Sequence, residues 1–148
     1  MGFWIDDILV GIENNYGTNN IYDLCGLLEI EIILIDSSSI LLNGNDSFYC
    51  RDFFNQESVF IRDDLSPNCE KFILAHELGH ALLHTSMCGA TLNRKLFNTG
   101  KYENQANYFA LKFLKIEFDE IELKEMTVNQ ISSCLGIPCD PLLQLVNC

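Results

Sequence analysis

An α+β fold, with a small mostly antiparallel β-sheet packed on a histidine-bearing helix and further helices at both ends, is predicted by three features of the sequence. Apolar residues recur at helical spacing near the N-terminus and again beyond residue 100. Short β-branched runs bounded by turn-prone residues fall between 31 and 62. Between these regions, AHELGHALLH at 75–84 holds all three histidines of the chain, His76, His80 and His84.

Residues 4–14 (WIDDILVGIEN) place Ile5, Ile8, Leu9 and Ile12 on one helical face, and 20–28 (NIYDLCGLL) repeat the pattern, giving a helical N-terminal part over about 4–28. Strands are expected at Glu31 to Asp36, closed by Ser37-Ser38-Ser39, at Ser47 to Arg51 and at Ser58 to Arg62, a small sheet over about 31–62. Ser66-Pro67-Asn68 is a helix start. The Ser66 hydroxyl can cap, proline suits the first helical position, and Glu70 stands where the dipole favours an acid. That helix should run over about 67–85. A connection at 86–100 leads to a second helix, about 102–116, with Ala106, Phe109, Ala110, Phe113 and Leu114 as its core stripe. The tail holds a cap at Thr127, a stop at Gly136 and a new start at Asp140-Pro141, so C-terminal helices are expected over about 119–147.

The 148 residues suit one domain, 1–148, and 48% hydrophobic with 20% charged residues excludes a disordered or fibrous chain. No apolar run reaches the roughly 18 residues of a membrane helix, and the acidic N-terminus does not read as a signal peptide. Seven scattered cysteines fit reduced thiols, so a cytoplasmic location is expected. A net charge of -12 repels phosphate backbones, so no direct nucleic-acid binding is expected; the acidity suits either a basic protein partner or simple solubility.

His76 and His80, at i and i+4, lie on one helical face and can aim two imidazoles at one ion. Glu77 beside them completes HExxH, the arrangement in which zinc activates water and a glutamate takes its proton. His84 lies about 12 Å from His76 along the axis, and helical side chains lean the same way, so both cannot reach one ion. His84 is read instead as a hydrogen-bonded residue at the helix end, where the dipole favours positive charge. The metzincin pattern fails, because its glycine and third histidine would fall at Leu83 and Ser86.

A catalytic zinc usually has three protein ligands. Glu103 stands at i-3 and i-7 from Ala106 and Ala110, on a core-facing stripe where a bare carboxylate is costly unless paired or bound to metal. Asn107, one turn on, can hydrogen-bond a ligand. Tyr102, Tyr108, Arg94 and Lys95 stand near enough in sequence to stabilise an oxyanion, though none is singled out. MTVNQISSCLGIP looks like part of a helix-turn-helix but has no basic residue, so packing is preferred.

The pairing of HELGHALLH with ENQANYFALKFL, after a strand-rich stretch ending SVFIRDDL, resembles the ImmA/IrrE family of metallopeptidases, with its HELGHxxxH and ExxANxFAxxLL motifs. The resemblance covers roughly 20–140 and implies a minimal gluzincin-like fold with one zinc ion. Carried over by position, His76, His80 and Glu103 would bind zinc and Glu77 would be the base, while the family role of His84 is unassigned. Lys115-Ile116 departs from the Met-Pro that ends the second helix in many members. Such enzymes typically cleave or inactivate a helix-turn-helix repressor in prophages or mobile elements, which is the protein substrate this resemblance implies. The strand Ser58 to Arg62 would hold the peptide by strand addition. The alternative function is a non-catalytic zinc-containing regulator that binds a repressor or another protein.

Overall fold

A computed structural model of the chain describes residues 3–84, 99–116 and 130. Helix α1 spans Phe3–Tyr16, with Ile5 and Ile12 buried and Ile8 and Leu9 packed beside them. Gly17 ends it with φ +64, donating its N–H to the Glu13 carbonyl at 2.9 Å; the left-handed conformation costs glycine nothing. Helix α2, Ile21–Leu27, is capped by the Asn20 side chain, which accepts from the N–H groups of Tyr22 and Asp23. Such a cap contributes about 1 kcal/mol.

Strands β1 (Ile30–Ile35), β2 (Ser47–Arg51) and β3 (Glu57–Arg62) form one sheet in the order β1-β3-β2. The sheet is mixed: β2 pairs antiparallel with β3, as expected, but β1 pairs parallel with β3. A five-residue turn joins β2 to β3, with Asp52 Oδ1 accepting from the N–H groups of Phe54 and Gln56, both at 2.8 Å. The longer link from β1 lets β2 pass to the far side, so β3 inserts between them. This placement corrects one expectation. Both edges of Ser58 to Arg62 are taken by β1 and β2, so that strand cannot accept a peptide by strand addition.

Val59, Ile61, Tyr49 and Ile30 face the helices and are buried with Leu24, Phe72, Leu74, Leu78 and Phe109 in one core. Helix α3, Pro67–Leu83, follows β3 after a four-residue link, capped by Ser66 with Pro67 in its first turn. Helix α4 spans Thr99–Phe113, shifted from the expected 102–116. It ends early because Lys115 takes φ 56, while Ile116 N–H bonds to the Leu111 carbonyl and Lys115 N–H to the Lys112 carbonyl. Those paired bonds are a Schellman stop built without glycine, which leaves no sequence mark. Apart from Gln130, the expected C-terminal helices lie outside the described residues, as do residues 86–98 of the expected 86–100 connection, Arg94 and Lys95 among them.

Candidate metal centre

The site lies where α3 crosses α4, and a glycine lets the two helices approach. A Cβ on Gly79 would stand 3.2 Å from the Ala106 Cα and 3.3 Å from the Ala106 carbonyl oxygen, so a side chain there would push on backbone. Ala106, Phe109 and Ala110 are fully buried against α3. This close contact brings Glu103, in the first half of α4, over the His76–His80 face of α3.

His76 Nε2 and His80 Nε2 lie 3.1 Å apart. Glu103 Oε2 is 3.1 Å from the first and Oε1 is 3.0 Å from the second. The three donors stand within 4.8 Å of one another. A tetrahedral ion with bonds of about 2.0–2.1 Å needs donors about 3.3 Å apart, so these side chains fit a single small cation with shifts of only a few tenths of an ångström. Two imidazoles and a carboxylate suit zinc as a donor set.

The other nitrogen of each imidazole is also held. His76 Nδ1 lies 2.7 Å from Asn107 Oδ1, and Asn107 is buried. His80 Nδ1 lies 3.0 Å from His84 Nδ1, and His84 Nε2 lies 2.8 Å from Gln105 Oε1. Thus α4 backs both histidines of α3. His84 stands behind His80, on the side of the ring away from Glu103, and its ring meets Tyr102 edge-on at 4.7 Å.

Electrostatics follow from this crowding. Burial raises the Glu103 pKa, but hydrogen bonds from His76 and His80 outweigh it and hold the carboxyl well below its ordinary range. Burial disfavours charge on His76, yet Glu103 and Glu77 more than compensate, and its pKa rises above 6.5. Burial, aided by the nearby His80, lowers that of His84. This corrects the expectation of a dipole-favoured positive charge at His84. The residue is 5% exposed, with its ring between His80 and Tyr102, and desolvation dominates a helix-end field.

Glu77 is 2% exposed, and the Ser47 hydroxyl of β2 donates to its Oε1 at 2.7 Å. The sheet therefore holds this carboxylate through the Ser47 hydroxyl. Nothing in the local sequence marks Ser47 or Gln105, because each reaches the site through tertiary contact alone. Of the oxyanion candidates, Tyr108 donates to Asp6 of α1 at 2.9 Å and is committed there. Tyr102 packs on His84.

Comparison with known proteins agrees with the motif reading. A profile of the IrrE N-terminal-like domain, a peptidase family, matches residues 32–133. An uncharacterized immunity region protein of Bacillus phage phi105 is 31% identical over 128 residues, 84% of this chain and 78% of that protein. Metallopeptidase ImmA of Bacillus subtilis (strain 168) is 30% identical over 110 residues, 70% of this chain but only 58% of that protein. No solved structure matches. Because the profile spans more than half of the sequence and includes both the HELGH and the ENQAN segments, the chain belongs to the IrrE N-terminal-like domain family of peptidases.

Proposed function

We propose that this chain is a single-domain zinc endopeptidase, acting in the cytoplasm on a helix-turn-helix transcriptional repressor as part of a phage or mobile-element regulatory system. The observation that carries the chemical part is the convergence of His76, His80 and Glu103 beside the buried carboxylate of Glu77. Bound there, zinc would supply Lewis acidity, lowering the pKa of water and polarising the scissile carbonyl. Glu77 takes the proton of the attacking water and passes it to the leaving amine. Ser47 keeps the Glu77 carboxylate turned to that task, while Asn107 and His84 hold the two imidazoles.

The names of the relatives, a phage immunity region protein and a metallopeptidase, support the regulatory part of the reading. So does the net charge of -12, which complements a basic DNA-binding domain. An extended substrate segment needs a free sheet edge, and among the described residues β2 offers one beside the site. Hydrogen bonds from Arg62 N–H to the Asp46 carbonyl and from Asp52 N–H to the Gln56 carbonyl, both 3.0 Å, set the ladder. Its alternation then turns the backbone groups of Ser47, Tyr49 and Arg51 outward.

The test is co-expression with a repressor encoded beside this chain. Wild type should cut it, and Glu77→Gln should bind zinc and the repressor but leave it intact. Cleavage by the Glu77→Gln protein would refute the assigned base, and an intact repressor with the zinc-loaded wild type would refute the substrate.

A further inference from the structure

The contact between His80 and His84 pairs two imidazole nitrogens, Nδ1 with Nδ1, at 3.0 Å. Only one proton fits between them, so one ring donates and the other accepts. On its far side His84 Nε2 meets Gln105 Oε1 at 2.8 Å, and a carbonyl oxygen can only accept. With the Gln105 oxygen toward it, His84 carries its proton on Nε2, and a neutral imidazole then offers a lone pair at Nδ1. The proton in the shared contact belongs to His80 Nδ1. In this arrangement the lone pair of His80 lies on Nε2, the atom that faces His76 and Glu103. His80 and His84 are 7% and 5% exposed and Gln105 is 7% exposed, so water has little access to scramble the arrangement.

We propose that His84 is a positioning residue that fixes His80 in the tautomer able to bind the ion through Nε2, with Gln105 fixing His84 in turn. The proposal rests on His80 being a metal ligand. It gives the third histidine of HELGHALLH a role without making it a ligand. His84 can fill it because it leaves the helix: it is the C-cap of α3, with φ -124 and ψ 48, and its N–H returns to the His80 carbonyl at 2.9 Å. The ring leans back over the preceding turn, where His80 lies.

Gln105 adds a feature that a fixed acceptor would lack. Turned by 180° about its last bond, its amide presents N–H to His84 Nε2. In the arrangement that matches this orientation His84 carries its proton on Nδ1 and His80 carries its own on Nε2, where it faces Glu103. Such a row has two states, and ion binding selects the one with the Gln105 oxygen toward His84. An ionised carboxylate at this position, as in Gln105→Glu, can only accept, so it favours the binding-competent state.

The experiment measures zinc affinity by chelator competition at fixed pH, together with imidazole nitrogen NMR of His80 in the metal-free protein. His84→Phe keeps a ring of similar bulk but gives His80 Nδ1–H no acceptor; affinity should fall by about 10- to 100-fold, the range for partners of metal-bound histidines. His84→Gln, which can offer an oxygen to the same N–H, should recover part of the loss. Gln105→Glu, a change at the far end of the row, should bind zinc at least as tightly as wild type and shift the His80 nitrogen signals toward the Nδ1–H form. Equal zinc affinity in wild type and His84→Phe, or His80 signals of the Nε2–H form in Gln105→Glu, would overturn the proposal while leaving the metal centre intact. If wild type itself fails to bind zinc, the metal reading falls and this proposal falls with it.

Discussion

The α3–α4 contact and the three-stranded sheet bury their side chains for opposite reasons. Across the sheet, Val59, Ile61 and the ring of Tyr49 are pressed into a common core, where removing water is the main effect, while the Tyr49 hydroxyl donates to Glu57 Oε1 at 2.5 Å. Across the helix pair, Glu77, His80, His84, Gln105 and Asn107 are buried polar groups, each engaged by hydrogen bonds or charge. Burying such groups costs several kcal/mol unless partners replace water. The sheet is therefore built for stability, and the helix contact spends part of that stability on holding donors in place.

If this division is right, metal binding and folding can be damaged separately. The largest effect should come from Glu103→Ala, which removes one of three donors; zinc affinity should fall by more than about 100-fold, beyond what hydrogen-bond partners of ligands account for. Its metal-free thermal midpoint should change little by comparison. Chelator competition and calorimetry on the same preparation measure both. In the sheet, Ile61→Ala should cost about 2–5 kcal/mol of stability through lost burial and a cavity, and the surviving folded fraction should bind zinc normally. Denaturant titration with and without zinc shows whether that loss is the same in both states.

Gly79→Ala joins the two regimes. Alanine in a helix interior gains about 1 kcal/mol over glycine, which opposes the push of the new Cβ on the Ala106 backbone. Net stability should move little, yet α4 shifts outward and carries Glu103 with it, so zinc affinity should drop by about tenfold. Unchanged affinity would show that the close approach is not what sets the donor spacing.

The smallest effect concerns pH. In the metal-free protein the His76 pKa is raised above 6.5 by Glu103, so protonated His76 adds stability that is complete below the unfolded value of 6.5. That contribution is lost as pH rises through the higher folded value. Zinc must displace the same proton. Titration calorimetry near pH 6.5, in buffers of different ionisation enthalpy, should therefore report proton release on zinc binding that fades as the pH is raised above the folded His76 value.

Much of this arrangement is legible in the sequence where local rules decide it. The Ser66-Pro67 start, the i and i+4 histidines, and Glu103 and Asn107 on one face of the next helix are written in fixed helical spacing. All seven described elements lie within a few residues of where periodicity puts them. What spacing does not encode is pairing between distant segments. The parallel match of β1 to β3 and the Ser47 hydroxyl on Glu77 depend on how the chain returns on itself. The surroundings of His84 are not in the local sequence for a related reason: Gln105 reaches its ring from α4 through tertiary packing alone.

The central claim is that two imidazoles of α3 and one carboxylate of α4 share one ion. X-ray absorption at the zinc edge of protein loaded with one equivalent tests it most directly. The account predicts a shell of nitrogen and oxygen neighbours at about 2.0–2.2 Å with imidazole scattering from two rings, reduced in Glu103→Ala. A sulfur neighbour at about 2.3 Å, which would place the ion on the cysteines, or a spectrum unchanged by Glu103→Ala, would contradict it.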